Sequence, residues 1–324
     1  MPKKVPKIVR EIQNNPPENI NYAFEKHISY SQLSIHKGCP HRWKLQYKDK
    51  IKKFTSSIHT VFGIAIHESI QHYLDLAYNK SFAAADREIN IQEYFQEKFI
   101  GEYQSQYKKN NNSHFSDAAE MREFFEDGVA ILEWFKKKRS RYFSKKGTYL
   151  IGCELPIVIA PNKMYDNILY TGYLDIVTYN ERTDTFKIID IKTSTKGWNK
   201  FAKADENKQF QLLLYNQFFS EQYNIPLDKI DIEFFIVKRK VLSWDDDNIM
   251  SPHQAYRVQT FIPPSGKIKL GKAKKAMTTF INECFNSDGS IKEKNYEKTP
   301  SKWTCNFCPF KEEQELCGAG LDFL

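Results

Sequence analysis

The segment Thr185-Phe186-Lys187-Ile188-Ile189-Asp190-Ile191-Lys192-Thr193 constrains the fold of this chain more than any other. Its β-branched and aromatic residues predict a strand over 185–193. Side chains alternate along a strand, so Asp190 and Lys192 share one face while Ile189 and Ile191 point into a packed layer on the other. Burying a carboxylate and an ammonium together is costly unless they pair with each other or with an ion. Taken alone, the segment is equally consistent with a surface Asp–Lys pair at a strand end.

The run before it narrows the choice. Tyr170-Thr171-Gly172-Tyr173-Leu174-Asp175-Ile176-Val177 reads as a second strand, over 168–179, with an acid in an apolar setting. A turn at 180–184 joins the two strands as a hairpin that can bring Asp175 beside Asp190. Two converging carboxylates repel unless a cation lies between them. An oxygen-rich site with few ligands suits Mg²⁺ or Mn²⁺. Such an ion activates phosphodiesters toward hydrolysis, and Lys192 is placed to hold the attacking water or to stabilise charge on the phosphate.

Helical periodicity fills the first half of the chain. Helices are expected from Ser31 through Tyr47, over 58–76 carrying His67, and over 84–108 and 116–143, with Asp117 and Glu120 as a capping box. Strands follow at 149–159, 168–179 and 185–193, then a helix at 205–224, strands at 230–238 and 254–262, and a basic helix at 267–285. Helices first, then a sheet with helices on it, give an α/β or α+β class. Residues 1–26, rich in Pro, Asn and Lys, are expected to be a mobile arm; 27–324 form one domain, with a helical insertion at about 79–146. No run approaches the ~18 apolar residues of a membrane helix, and MPKKVPKIVR is no secretory signal, so the expected location is cytoplasmic. With 48 Lys plus Arg against 40 Asp plus Glu, the +8 charge suits a nucleic-acid partner.

Of six cysteines, three crowd the C-terminus. Cys305-Asn306-Phe307-Cys308-Pro309 is a C-x-x-C-P element, and Cys317 follows. Three thiolates lack a fourth ligand, for which Cys39, in Cys39-Pro40-His41-Arg42-Trp43, is the candidate. Four thiolates hold zinc or an iron–sulfur cluster, and Trp303, Phe307 and Phe310 would supply an apolar shell. Cys153 and Cys284 read as packed small residues.

Several motifs together resemble the RecB-like branch of the PD-(D/E)XK nuclease superfamily, which includes AddB-type and CRISPR-adaptation nucleases. Gly63-Ile64-Ala65-Ile66-His67-Glu68 is similar to that branch's helical motif, Gly172-Tyr173-Leu174-Asp175 to its first-acid motif, Asp190-Ile191-Lys192 to its Asp-x-Lys, and Gln211-Leu212-Leu213-Leu214-Tyr215 to its Gln-x-x-x-Tyr. The likeness runs from about residue 29 to 317. It implies a restriction-endonuclease-like mixed central sheet flanked by helices. It also implies that His67, Asp175, Asp190 and the Ile191 carbonyl ligate the metal, with Gln211 and Tyr215 supporting the site and the DNA. Glu154 stands where the family often has an acid; a strand-edge charge is the alternative. The resemblance further implies a [4Fe–4S] cluster on Cys39, Cys305, Cys308 and Cys317, in a tail of about 298–324, with zinc as the alternative. The gap before Cys317 is longer than the family's usual one.

Other signals are weaker. Gly266 to Ala273 nearly matches a phosphate-binding loop, but Ala273 replaces the metal-binding hydroxyl; no ATPase is expected, and a separate helicase or recombination protein would supply a motor. The lysines at 267–275 and the run Lys136 to Arg141 either contact phosphates or are solvated helix surface. Trp198 either stacks on a base or caps the core. The expected activity is a metal-dependent DNA nuclease, an exonuclease or flap-type endonuclease on single-stranded DNA or single-stranded ends, in recombination, repair or phage DNA processing. The rivals are an inactive DNA-binding scaffold and an RNA nuclease of the same fold.

Overall fold

A computed structural model describes residues 5–17, 26–144, 146–161, 167–242 and 255–318. Expectations for residues 1–4, 18–25 and 319–324 lie outside them. The rest of the expected arm is partly ordered. Residues Lys7–Asn14 form helix α1, with Val9 and Ile12 buried, and Gln13 Nε2 donates to the backbone oxygens of Leu150 (3.0 Å) and Ile151 (3.2 Å). Two buried apolar residues and two backbone bonds anchor a segment whose composition suggested mobility.

The helix expected from Ser31 to Tyr47 is broken. Helix α2 (Tyr30–Gly38) starts at Ser29, whose hydroxyl accepts from Gln32 N. Cys39 is extended (φ −158°, ψ 106°), and α3 (Pro40–Trp43) leads into a π turn over Lys44–Lys48. Proline disfavours helical geometry in the residue before it, so Pro40 sets the break at Cys39. Then come α4 (Ile58–Asn79), α5 (Phe82–Glu88), α6 (Ile91–Lys109) and α7 (Ala118–Lys138). The helix expected at 84–108 is really α5 and α6, parted where Asn90 caps α6 by accepting from Glu93 N. Asp117 caps α7, accepting from Glu120 N at 2.7 Å. Glu120 accepts from Ser116 Oγ (2.6 Å), so half of the expected capping box forms.

The sheet is mixed, as expected of the α/β class. Strands β1 (Lys26–Ile28), β3 (Ile168–Asn180), β4 (Thr185–Ser194), β5 (Ile230–Lys238) and β6 (Val258–Phe261) lie in that order, and β2 (Thr148–Ile159) also pairs with β3. β3 and β4 are antiparallel, β4 and β5 parallel, β5 and β6 antiparallel. A parallel pair needs a crossover, which α8 (Lys200–Ala204) and α9 (Glu206–Tyr223) supply. β1 was missed; three residues carry no readable period. No described helix is long and apolar enough to cross a membrane.

The chain divides into two compact units. One, residues 1–16, 56–155 and 173–264, contains α4 to α9 and the β4–β5 pair. In it Ile189 and Ile191 join the core formed with α4, α6 and α7, the buried face expected for them. The other, residues 17–55, 156–172 and 265–324, contains α2, α3, α10 (Lys267–Cys284) and α11 (Lys302–Asn306). Its centre is Trp43, fully buried and ringed by Phe280, Phe285 and Tyr296 at 5.5–5.9 Å.

Phe95 anchors the helical layer, with Phe99 at 5.6 Å and Phe125 at 5.9 Å. A Cβ on Gly128 of α7 would land inside the Phe95 ring. Alanine is worth about 1 kcal/mol over glycine in a helix, while overpacking costs about 1–3 kcal/mol. Gly128→Ala should therefore lower stability in denaturant unfolding, and Phe95→Leu added to it should recover most of the loss. A Gly128→Ala protein more stable than the parent would show that Phe95 is free to move.

Candidate functional site

The register between β3 and β4 stops at Ile176↔Ile189. Beyond it the strands part, and Asp175 completes the ladder with its side chain, Oδ2 accepting from Ile191 N at 2.6 Å. Within a strand residue, N–H and C=O point to the same side, so the Ile191 carbonyl faces the same gap. Asp175 and Asp190 lie on the sheet face that carries Phe186, which packs on Phe219 of α9 at 5.6 Å. α4 packs on the opposite face, with Ile176, Ile189 and Ile191.

His67 reaches the gap from α4. Its Nδ1 is 3.5 Å from Asp175 Oδ2, and its ring bonds to the Ile191 backbone. One turn earlier, a Cβ on Gly63 would stand 3.2 Å from Thr193 Oγ1; the missing side chain lets the helix lie close to the end of β4. Burial first, then Lys192, push the His67 imidazole down to about 4, against the pull of its Ile191 bond. It is thus neutral at ordinary pH, the form that ligates metals.

Asp190 is 1% exposed. Neither oxygen has an aligned hydrogen-bond donor among the described residues. Oδ2 has an ion-pair partner, Lys192 Nζ, at 2.8 Å. Burial raises the Asp190 carboxyl, and Lys192 opposes the rise. Asp175 is raised well above the usual carboxylate range by burial and then by Asp190, despite Lys192 and the Ile191 N–H. Burial pulls Lys192 down, but Asp190 and Asp175 outweigh it and hold the ammonium above its ordinary value.

Gln211 Nε2 donates to the Tyr215 hydroxyl at 3.3 Å, one turn along α9. Burial raises Tyr215, as do the charges of Asp190, Asp175 and Glu154. Glu154 is exposed on β2 with a left-handed φ of 52°. For a residue with a Cβ that geometry is strained and turns the side chain away from the regular alternation. Glu154 Oε1 accepts from Gln71 Nε2 at 2.7 Å, and the same nitrogen donates to the Asp175 carbonyl at 3.0 Å. Gln71 was not anticipated. Its position four residues after His67, on the same helix face, was the available signal.

As placed, no three His, Cys, Asp or Glu side chains among the described residues form a metal-holding group. The donor set nevertheless fits a hard divalent cation on one observation. A buried carboxylate with unpartnered Oδ1 adjoins a second carboxylate that its charge destabilises, and a cation removes both costs.

The four expected cysteines share one cavity without forming, as placed, a metal-holding group. Cys39, Cys305, Cys308 and Cys317 line one cavity with His41 and Phe310. His41 Nε2 sits 2.9 Å from the Leu316 carbonyl. Burial raises the Cys308 thiol, and Cys317 and Cys39 add to the rise. The expected apolar shell is mostly missing: Phe310 is buried, but Trp303 is 85% and Phe307 77% exposed. Their places at the start and end of the short helix α11 turn them outward. Cys153 and Cys284 are packed thiols, each pushed up to about 12 by burial.

The weaker signals resolve. Gly266 caps α10 and Gly271 lies inside it, so no phosphate-binding loop forms there. Arg139 pairs with Asp86 and lies over the Tyr73 and Phe82 rings; that part of the basic run is helix surface. Trp198 packs on Phe234 at 4.9 Å and caps the core.

A family model described as the PD-(D/E)XK nuclease superfamily matches residues 27–313. No curated protein matches the chain.

The repulsion between the two acids can be measured as stability. Asp175→Asn keeps an acceptor for Ile191 N–H while removing one of two like charges. Metal-free protein carrying it should melt higher than the parent at neutral pH, by roughly 2–4 °C per kcal/mol recovered. The sign follows from the raised carboxyl: the folded state holds its proton more tightly than the unfolded chain, so ionisation destabilises as pH rises. The gain should shrink as pH falls toward 4. An unchanged or lower melting temperature at neutral pH would contradict the electrostatic reading.

Proposed function

The chain belongs to the PD-(D/E)XK nuclease superfamily of metal-dependent nucleases, and we propose that it is a deoxyribonuclease, working as an exonuclease, in DNA recombination, repair or phage DNA processing. The observation that carries the reading is the buried Asp190, paired among the described residues only with Lys192 and raising the neighbouring Asp175. That arrangement is costly for folding and suited to binding a cation.

In this reading Asp175, Asp190, the Ile191 carbonyl and His67 hold Mg²⁺ or Mn²⁺, with Glu154 as a further acid. A divalent ion supplies Lewis-acid polarisation of the scissile phosphoryl group. Lys192, on the same strand face as Asp190, turns its ammonium from the carboxylate toward phosphate charge that grows during hydrolysis. His67 stays neutral, the form that can offer a ring lone pair to the ion. The Gln211–Tyr215 pair fixes the wall of the site next to the acids, and Gln71 ties Glu154 to the Asp175 backbone.

We propose in addition that Cys39, Cys305, Cys308 and Cys317 hold a [4Fe–4S] cluster. Four thiols on one cavity support it, and zinc is the chemical alternative for the same donors. The centre would be structural, joining the α2–α3 break to the C-terminal tail.

The test of the activity is incubation of end-labelled single- and double-stranded DNA with and without Mn²⁺. Mononucleotide release should need the metal. Asp190→Ala should fold and bind DNA while losing activity by at least 100-fold, and Lys192→Ala should lose most activity while still binding Mn²⁺. Cleavage by Asp190→Ala at the parent rate would overturn the site, and exclusive cleavage of RNA would overturn the substrate.

Metal binding should also depend on pH. Because the acids are raised, protons compete with the ion, so the Mn²⁺ affinity measured by calorimetry should increase between pH 5.5 and 7.5 with proton release. A flat profile would show that carboxylates of ordinary acidity bind the ion.

For the cysteine centre, anaerobically purified protein should be brown, with iron and sulfide in equal amounts. Cys305→Ser should lose the colour and destabilise the chain, whereas Cys153→Ser should keep both. A colourless protein with one zinc would replace the cluster with zinc.

A further inference from the structure

The segment that leaves the acidic strand presents an exposed ring among lysines. Phe201, on α8, is 73% exposed, and Lys200 Nζ lies 5.1 Å from its centroid. An exposed phenylalanine ring is costly to hold in water relative to burial. The base of the segment is firmly fixed. Trp198 N donates to Gln259 Oε1 at 2.7 Å, and Gln259 Nε2 donates back to the Trp198 carbonyl at 3.2 Å. Asn199 caps α8, its side chain accepting from Ala202 N at 2.9 Å. An anchored segment with one ring left out differs from a frayed loop.

Register places this segment relative to the acids. Asp190 is opposite Phe234 on β5, and Phe234 is opposite Phe261 on β6. Residues paired across strands project from the same face. The Trp198 ring sits on this row, 4.9 Å from Phe234 and 6.3 Å from Phe261. Lys203 Nζ is 5.8 Å from the Phe261 ring and Lys208 Nζ 5.4 Å from the Trp198 ring. α8 is thus held on the face that carries Asp190, two strand spacings away, on the order of 10 Å. On the other side of the acids, Tyr173 lies two residues before Asp175 on the same face of β3, and is 52% exposed. Asp205 and Glu206 follow α8, against the four lysines Lys196, Lys200, Lys203 and Lys208, so the local balance is positive.

An apolar ring and cations together match a nucleic-acid single strand, whose bases offer π-faces and whose phosphates carry charge. A duplex hides its bases in the stack, and a protein partner gives no reason for the lysines. Resting on the nuclease reading above, we propose that Phe201 is a base-stacking platform for single-stranded DNA, with Lys200 and Lys203 on the phosphates and Tyr173 as a second ring beyond the acids. A strand held at both rings passes over Asp175 and Asp190.

The test is binding of a fluorescent 20-nucleotide oligothymidylate by the full chain in EDTA, where no cleavage intervenes. Phe201 is exposed, so Phe201→Ala should fold as the parent does. It should bind roughly 5- to 100-fold more weakly, the range for losing one stacked base, while Phe201→Trp should restore affinity. An oligonucleotide with abasic sites throughout should bind parent and Phe201→Ala alike. Equal binding of oligothymidylate by both proteins would overturn the proposal. So would an equal loss on the abasic strand, or no binding by the parent. Tighter binding of oligouridylate than of oligothymidylate would overturn the commitment to DNA. Hydrolysis of bis(p-nitrophenyl) phosphate by the parent with Mn²⁺ reads the catalytic site separately, since that diester has no base. Its absence would remove the nuclease reading and leave the stacking result standing.

Discussion

Two carboxylates and an ammonium held in an apolar sheet are the constraint on which the unit built around β4 depends. Asp190 has Lys192 at 2.8 Å and Asp175 as a repelling neighbour. Such a group is tolerated only if the surrounding elements are fixed by other contacts. Here they are. Ile189 and Ile191 bind β4 to the helical core on one face, and Phe186 binds it to α9 on the other. The ladder between β3 and β4 opens just where the acids begin, and the Asp175 side chain keeps Ile191 N–H satisfied. Without that opening, the Ile191 carbonyl would be consumed by the sheet and His67 would have no way in.

The same logic explains the less obvious residues. Gly63 has no side chain because α4 lies close to Thr193. Glu154 takes a left-handed backbone, and Gln71 bridges it to the Asp175 carbonyl. These residues hold Asp175 and Glu154 in place, an order that the proposed hydrolysis would require. In the other unit Cys39 is extended between two short helices and lines the same cavity as the three cysteines of the tail.

Much of this was legible in the sequence because it depends on local alternation. The period of two along 185–193 placed Asp190 and Lys192 on one face and the isoleucines on the other, and the structure keeps that assignment. The spacing of Gln211 and Tyr215 gave a shared helix face. What escaped depends on long-range contact. Only its spacing from His67 marked Gln71, whose partners lie 83 and 104 residues away. The helix in the expected arm is held by contacts to residues 137 and 138 positions on. Trp303 and Phe307 read as an apolar shell from their place beside the cysteines, yet the short α11 exposes both. Breaks at Cys39 and Asn90 were missed although Pro40 and a capping asparagine announced them.

The central claim is that Asp175, Asp190 and the Ile191 carbonyl form one cation site. Anomalous scattering from crystals soaked in Mn²⁺ tests it most directly. The account predicts a peak about 2.1 Å from an oxygen of each of the three, with Lys192 Nζ drawn away from Asp190. A map with no peak there, and the Asp190–Lys192 pair intact at saturating metal, would contradict it.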